Sequence, residues 1–220
     1  MVGSGRFITF EGGEGAGKST QIARLAARLS SLGLKVRTTR EPGGSPGAEI
    51  VRHVVLSGAA AALGADTEAM LFAAARVDHV DSVIRPALEA GEWVLCDRFT
   101  DSTRVYQGAS GVSTALIGAL ERLALQDLAI DLTIIVDVPA EIGLARAAAR
   151  RGDGVTDRFE GDSLEIQERR RRGFLDIAAA EPERCVVVDG TLDAGGVEAA
   201  IWAAVEGRFA EIAAVSQRPA

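Results

Sequence analysis

Short apolar runs alternate with longer segments of helical periodicity along the whole chain of 220 residues. The short runs are rich in β-branched residues and end in polar or glycine-containing stretches, which is typical of strands. They lie at residues 6–11, 35–39, 93–97, 132–136 and 184–188. Strands that alternate with helices predict an α/β protein of three layers, in which a five-stranded parallel sheet is covered by helices on both faces.

The longer segments place apolar residues on one face at successive turns, as amphipathic helices do. They lie at residues 19–32, 66–91, 163–180 and 194–215. We expect Pro86 to bend or divide the second segment, because proline lacks the amide hydrogen that a helix interior uses. No internal repeat or linker interrupts the alternation, so we predict a single domain over residues 1–220.

The chain is 47% hydrophobic and carries a formal net charge of −7. This acidity argues against nucleic acid as a partner, since nucleic-acid-binding proteins normally present a basic face. No apolar run approaches the ~18 to 20 residues that a membrane span needs, and the first strand begins without a signal sequence. Cys96 and Cys185 lie in apolar runs, which favours reduced core thiols. Together these features predict a cytoplasmic protein.

A glycine-rich stretch follows the first strand directly and leads into the first helix. It fits G-x-x-x-x-G-K-[ST], and it consists of Gly12, Gly13, Glu14, Gly15, Ala16, Gly17, Lys18, Ser19 and Thr20. Glycines allow successive N–H groups to point at a phosphate, and the helix N-terminus adds positive potential. We therefore predict a P-loop for a nucleoside triphosphate, with Lys18 at the β- and γ-phosphates and Ser19 on Mg²⁺.

Charged residues follow the second and third strands, at the edge where a parallel sheet gathers its ligands. Asp97 ends a buried strand, where a carboxylate suits Mg²⁺ or its waters, although a helix cap or an ion pair would also explain it. Arg40 and Arg98 have the fork geometry that grips a phosphate, unless they form surface ion pairs. A second phosphate-bearing ligand favours a transferase over a hydrolase.

Motifs elsewhere in the sequence indicate which class of P-loop protein this is. The guanine-reading motif Asn-Lys-x-Asp of common GTPases does not occur in the sequence. Small P-loop kinases fit better, because they need an arginine-rich lid that keeps water from the transferring phosphoryl group. Arg146, Arg150, Arg151 and Arg158 surround a glycine-containing loop and predict such a lid at about residues 150–161. For any one of these arginines, a solvated helix end is the alternative.

Six segments together resemble the thymidylate kinase family, whose members phosphorylate dTMP to dTDP with ATP and Mg²⁺. They are Phe-Glu-Gly at 10–12, Arg-Glu-Pro-Gly-Gly at 40–44, Leu-Phe-Ala-Ala-Ala-Arg at 71–76, Asp-Arg-Phe at 97–99, Tyr-Gln-Gly at 106–108 and Asp-Arg-Phe-Glu at 157–160. The likeness runs in the family's order from residue 6 to about residue 209. The combination of these segments is much more specific than the P-loop alone.

The resemblance implies a role for each matching side chain. Phe72 would stack on thymine, with core packing as the alternative, and Arg76 would bond the base edge from the same helix face. Arg98 would hold the dTMP phosphate. Further acceptor contacts would come from Glu14 near the sugar, Arg40 near the phosphate, and Glu41 and Pro42 beside it in the sequence. Ser102 or Thr103 would lie at the base edge, and Tyr106 and Gln107 along the deoxyribose and base. The Tyr106 ring would disfavour a 2′-hydroxyl group, and Arg146 would flank the adenine of ATP.

The family divides into subgroups by the origin of its transition-state arginine. Some members carry an arginine in the P-loop directly after the acidic residue, where this chain has Gly15. The resemblance is thus to the bacterial subgroup with lid arginines, and Arg150 or Arg151 would act, with Arg158 as third candidate. Phe99 stands where many members have Tyr or His, and we assign it no chemical role.

The implied reaction is direct in-line transfer without a covalent intermediate or a general base, and the family implies a homodimer. Two alternatives stay open. One is a P-loop kinase of another nucleoside monophosphate or of a nucleoside. The other is a non-catalytic nucleotide-binding switch protein, which would leave Arg40, Phe72, Arg76 and Arg98 without a ligand.

Overall fold

The computed structural model describes residues 5–151, 159, 161–210 and 212. Its strands are β1 (Arg6–Glu11), β2 (Val36–Arg40), β3 (Trp93–Asp97), β4 (Leu132–Asp137) and β5 (Cys185–Asp189). All pair in parallel in one sheet of order β2-β3-β1-β4-β5. The predicted five-stranded α/β fold is confirmed, and each strand lies within one residue of its predicted bounds.

Helices connect the strands, as the predicted alternation requires, and several lie in segments for which the sequence analysis gave no helix bounds. They are α1 (Lys18–Ser31), α2 (Pro46–Leu56), α3 (Ala65–His79), α4 (Arg85–Glu89), α5 (Thr100–Ala109), α6 (Thr114–Leu125), α7 (Ala140–Arg151), α8 (Leu164–Ala180) and α9 (Ala194–Arg208). None that the structure describes has the length and apolar character to cross a membrane. Both cysteines are free and buried, as predicted.

Alternate side chains of β1 belong to cores on opposite faces of the sheet. Ile8 and Phe10 pack with the apolar residues of α1 and α9. On the opposite face, Phe7 packs with Val80, Ile84 and buried side chains of β3. Because successive strand residues point to opposite faces, a central strand covered on both sides is mostly apolar. This explains the run at 7–10 before the P-loop, in which the polar Thr9 is buried and shares a hydrogen bond with Thr133 of β4.

Pro86 divides the predicted helix at 66–91. Helix α3 ends at His79, a π-helical turn occupies Val80–Ile84, and α4 begins at Arg85. The amide of Arg85 donates to the carbonyl of Val80, five residues earlier. This wider turn accommodates a proline that has no amide hydrogen to donate.

The predicted helix at 194–215 is interrupted. Helix α9 ends at Arg208, and Phe209 leaves the helical conformation with φ −119° and ψ 99°. The Phe209 ring lies edge-on to Trp93, 4.9 Å between centroids, and only 4% of Phe209 is exposed. Burial of an aromatic ring against the sheet therefore outweighs the continuation of the helix.

The strand register places the carboxyl ends of β1, β2 and β3, where ligands are predicted to bind, next to one another. Asp97 at the end of β3 is aligned with Phe10 of β1 on one side and with Arg40 of β2 on the other. The P-loop, the segment after β2 and the segment after β3 therefore leave the sheet side by side.

Candidate active site

The P-loop connects β1 to α1 and holds its lysine inward. Lys18 is 7% exposed, and its Nζ donates to the carbonyl oxygens of Gly12 (3.1 Å) and Gly13 (2.9 Å). Burial lowers the pKa of Lys18, and the nearby Arg98 guanidinium lowers it further. A partly desolvated ammonium at the start of a helix is well placed to meet an anion.

The P-loop packs closely against α7. A Cβ atom at Gly15 would overlap the carbonyl oxygen of Gly143, and a Cβ at Gly143 would overlap the carbonyl oxygen of Glu14. Gly15 also has φ +66°, which residues with a side chain rarely adopt. An arginine at position 15 has no room here, which supports the resemblance to the subgroup without a P-loop arginine.

Ser19 and Asp97 meet beside the P-loop. The Ser19 Oγ donates to the Asp97 Oδ2 at 2.6 Å. A hydroxyl and a carboxylate oxygen are hard ligands that suit Mg²⁺, which takes few protein ligands and completes its shell with phosphates and water. The donor set thus fits the predicted ion. Among the described residues no cluster of three His, Cys, Asp or Glu side chains that could hold a metal ion occurs.

Two adjoining cavities lie at this edge of the sheet. One, of about 130 Å³, is lined by the P-loop with Asp97, Arg98 and Arg150. The other, of about 260 Å³, contains every residue that the sequence predicts to bind the acceptor: Glu14, Arg40, Glu41, Pro42, Phe72, Arg76, Arg98, Ser102, Thr103, Tyr106 and Gln107. Residues that line both cavities are Glu14, Ser19, Asp97, Arg98 and Arg150. The pair can hold two ligands that meet at Arg98.

Arg98 lies at the centre of a charged network between the cavities. Its guanidinium donates to Glu14 Oε1 (2.5 Å), to the Gly12 carbonyl (3.2 Å) and to Ser102 Oγ (3.3 Å). The Tyr106 hydroxyl donates to the same Glu14 oxygen at 3.0 Å. Burial alone would raise the pKa of Glu14, but Arg98 and then Lys18 outweigh it and lower the pKa to about 2. Glu14 is therefore ionised and holds Arg98 toward the P-loop.

Arg76 is oriented by buried partners. It is 4% exposed, and its Nε donates to Glu41 Oε2 at 2.7 Å while Nη2 donates to Thr103 Oγ1 at 3.1 Å and to the Phe99 carbonyl. The other Glu41 oxygen lies 3.1 Å from His79 Nδ1. Both Glu41 oxygens thus contact protein groups, and one of them holds the Arg76 guanidinium at the cavity wall. The sequence did not indicate His79.

Glu11 is a further buried carboxylate that sequence reasoning did not assign. Its Oε1 accepts the amides of Phe99 (2.7 Å) and Ser102 (3.2 Å), and its Oε2 accepts the Ser102 hydroxyl at 2.6 Å. These bonds fix the turn in which Arg98 has φ +66°, unusual for a residue with a side chain. Desolvation, followed by the charge of Asp101, raises the pKa of Glu11 to about 7. The position of a carboxylate at the end of an apolar strand is the sequence feature that could have indicated Glu11.

The remaining predicted residues are exposed arginines, an arginine that lines neither cavity, and lid residues that the structure describes only in part. Arg40 is exposed and paired with Glu49 at 2.8 Å. Arg146 donates to the Gly190 carbonyl at 2.8 Å and lines neither cavity. Arg150 is exposed at the end of α7 and lines both cavities. Arg151 is described only as the last helical residue, and Arg158 with most of the predicted lid at 150–161 lies outside the described residues.

Comparisons with a family model, with known sequences and with solved structures all indicate the same family. The thymidylate kinase family model matches residues 10–201. Thymidylate kinases from Nitrobacter winogradskyi and Bradyrhizobium sp. ORS 278 are 60% and 57% identical, over 93% and 97% of this chain and 89% and 96% of those proteins. The crystal structure of a thymidylate kinase from Ehrlichia chaffeensis aligns with a TM-score of 0.73 and 34% identity, over 92% of this chain and 99% of that one.

Proposed function

The chain belongs to the thymidylate kinase family, and from this premise we propose that it transfers the γ-phosphoryl group of ATP to dTMP, giving dTDP for nucleotide biosynthesis. The observation that carries the proposal is the pair of adjoining cavities, because a kinase must hold two nucleotides with their phosphates facing each other. A non-catalytic switch protein would need only the cavity at the P-loop.

The donor site is assigned to the P-loop. Its amides and Lys18 bind the ATP phosphates. Ser19 and Asp97 would hold Mg²⁺ through their side-chain oxygens, which lie 2.6 Å apart. The ion, when bound, neutralises charge on the transferring phosphoryl group. Arg146 flanks the adenine by family resemblance alone.

The acceptor site is assigned to the larger cavity. Phe72 stacks on thymine, Arg76 bonds the base edge, and Tyr106 meets the deoxyribose. Arg98 binds the dTMP phosphate and aims its oxygen at the γ-phosphorus, supported by its contact with Glu14 on the P-loop side. A phosphate monoester oxygen is already ionised near neutral pH, so the transfer needs no general base.

The lid arginines are assigned to the transition state. Arg150 supports this assignment best, because it lines both cavities, whereas Arg151 and Arg158 are proposed from the sequence. Their positive charge would stabilise the charge that spreads over the equatorial oxygens during transfer. We assign one kinase domain to residues 1–220, with the lid at about 150–161.

We also propose that the enzyme is a homodimer in the cytoplasm. Exposed apolar side chains on three neighbouring helices support the dimer: Ile50 of α2, Met70 of α3 and Leu123 of α6 are 71%, 48% and 63% exposed. Helix α3 packs against both α2 and α6, and large exposed apolar side chains on helices that pack together are candidates for an interface. The two free thiols, Cys96 and Cys185, suit a reducing compartment.

An acceptor panel tests the function. ADP release is measured with ATP and Mg²⁺ against dTMP, dUMP, dCMP, AMP and thymidine, each offered alone. We expect the highest kcat/KM with dTMP. A clear preference for another acceptor would identify a different P-loop kinase. ADP release that no acceptor stimulates would instead favour the alternative of a nucleotide-binding switch protein.

A further inference from the structure

Arg170 of α8 has no role in the proposed reaction, yet it is buried. It belongs to a run of four arginines, and its side chain is 6% exposed, whereas that of the preceding Arg169 is 60% exposed. A buried guanidinium is costly unless its environment compensates the charge. Arg170 donates to Asp162 Oδ2 at 2.5 Å and to the Phe159 carbonyl oxygen at 3.2 Å.

The guanidinium of Arg170 also contacts the wall of the acceptor cavity. Its central carbon lies 4.3 Å from the Tyr106 ring centroid and 5.6 Å from that of Phe159. Both rings line the larger cavity, and they meet edge-on with 5.4 Å between centroids. Cations within about 6 Å of an aromatic centroid are attracted to the ring. Arg170 is therefore a shared partner of two aromatic side chains in the acceptor site.

Tyr106 is constrained from several directions. Arg98 lies 5.1 Å from its ring centroid, and the Tyr106 hydroxyl donates to Glu14. The contacts with Arg98 and Glu14 tie the ring to the P-loop side of the cavity, and the contact with Arg170 ties it to α8. A wall that excludes one extra hydroxyl group from a ligand needs supporting contacts, because a site that is about 1 Å too loose loses the geometry on which its selectivity depends.

We propose that Arg170 is a positioning residue for the sugar of the acceptor: by stacking on Tyr106 and holding the Phe159 carbonyl, it keeps the Tyr106 ring where a 2′-hydroxyl group would collide with it. Arg170 thereby sets the preference for deoxyribonucleotides without touching the substrate. This inference rests on the proposed function, because it assigns the deoxyribose of dTMP to Tyr106.

The test compares two acceptors that differ only in the 2′-hydroxyl group, dTMP and 5-methyluridine 5′-monophosphate. Arg170→Met keeps the side-chain length and removes the charge and the donors, whereas Arg170→Lys keeps the charge and loses the planar group. Arg169→Met, at the exposed neighbour, is the matched control. For Arg170→Met we expect the ratio of kcat/KM for the deoxy over the ribo acceptor to fall about tenfold, with KM for ATP unchanged within about twofold.

Arg170→Lys should give an intermediate ratio, and Arg169→Met should keep the wild-type ratio. If both acceptors lose the same factor and the ratio is unchanged, Arg170 is merely structural and the inference is overturned. Melting temperatures identify a variant that does not fold, and Arg170→Lys then decides. Wild-type enzyme that releases no ADP with dTMP contradicts the proposed function itself, whereas an active wild type with an unchanged variant ratio contradicts only the role of Arg170.

Discussion

At the scale of single residues, the site consists of side chains that line the cavities and of side chains behind them that hold these in place. Phe72, Arg76 and Tyr106 line the larger cavity, whereas Glu11 and His79 are fully buried and line neither cavity. The sequence identified the first kind, because the motifs of a family follow its ligand contacts. It did not identify Glu11 and His79, since their partners come from other elements and are visible only once the chain is folded.

Phe72 provides the first prediction at this scale. If its ring stacks on thymine, Phe72→Ala should raise KM for dTMP about tenfold or more, since stacking of a base on an aromatic side chain contributes about 1–3 kcal/mol. KM for ATP should change much less. Phe72→Tyr keeps the ring and serves as the control in steady-state kinetics with each substrate varied in turn. A larger effect on ATP than on dTMP would contradict the stacking role.

Glu11 provides the second prediction, through the pH dependence of stability. Its pKa is raised to about 7 in the folded chain, from an ordinary value near 4.5. Between these pH values the folded chain holds a proton that the unfolded chain has lost, so this group makes the free energy of unfolding fall as pH rises from about 4.5 to 7. The loss amounts to at most about 3 kcal/mol at 1.4 kcal/mol per pKa unit.

Glu11→Gln removes the titration while keeping the shape of the side chain. Urea unfolding at a series of pH values should therefore show a flatter slope for the variant than for the wild type over this window. Equal slopes would mean that Glu11 titrates at its ordinary pKa in the folded chain.

At the scale of elements, local pattern indicated the boundaries of the strands, and tertiary packing determined several boundaries of the helices. The strands were predictable to within one residue because the central strands are buried on both faces and are therefore mostly apolar. The end of α9 was not, because the burial of Phe209 against Trp93 depends on a strand more than a hundred residues away. The place of the π-helical turn before Pro86 was likewise outside what periodicity can indicate.

The contact between the P-loop and α7 provides a prediction at this scale. Gly143→Ala should destabilise the protein by about 1–3 kcal/mol, although alanine ordinarily favours a helix, because the new Cβ would overlap the Glu14 carbonyl. It should also weaken ATP binding by displacing the P-loop. Gly207→Ala in α9 is the matched control, since a Cβ there meets nothing within 4 Å, and it should stabilise by about 0.5–1 kcal/mol.

Urea unfolding and calorimetric titration with ATP measure both variants. Destabilisation by Gly143→Ala with unchanged ATP affinity would separate the fold of α7 from the geometry of the P-loop. Stabilisation by both substitutions would show that the two segments do not pack as closely as described.

At the scale of the whole molecule, the site is made by loops that are distant in sequence and adjacent in the sheet. The register of β1, β2 and β3 places the P-loop, the segment around Arg40 and the segment around Arg98 side by side. This convergence could be predicted, because carboxyl ends of parallel strands share one edge. The contribution of α8 through Arg170 could not, since nothing in a run of arginines indicates which one is buried.

The proposed homodimer gives a prediction at this scale. Leu123→Glu, on the exposed apolar surface of α6, should convert a dimer into a monomer in multi-angle light scattering, because a buried unpaired carboxylate opposes association. Leu192→Glu is the control, since Leu192 is 46% exposed in the segment between β5 and α9 and belongs to none of the helices α2, α3 and α6, and it should leave the mass unchanged. A monomeric wild type would contradict the proposed dimer.

The most direct measurement follows the phosphoryl group itself. ATP labelled at the γ-phosphate is incubated with Mg²⁺, dTMP and the enzyme, and the labelled products are separated. The label should appear in dTDP and not in inorganic phosphate. Lys18→Ala should lower the rate of transfer by about 10²-fold or more, whereas the control Lys35→Ala should transfer the label as the wild type does. Label that appears only in inorganic phosphate, or transfer that is unaffected by Lys18→Ala, would contradict the two-nucleotide site.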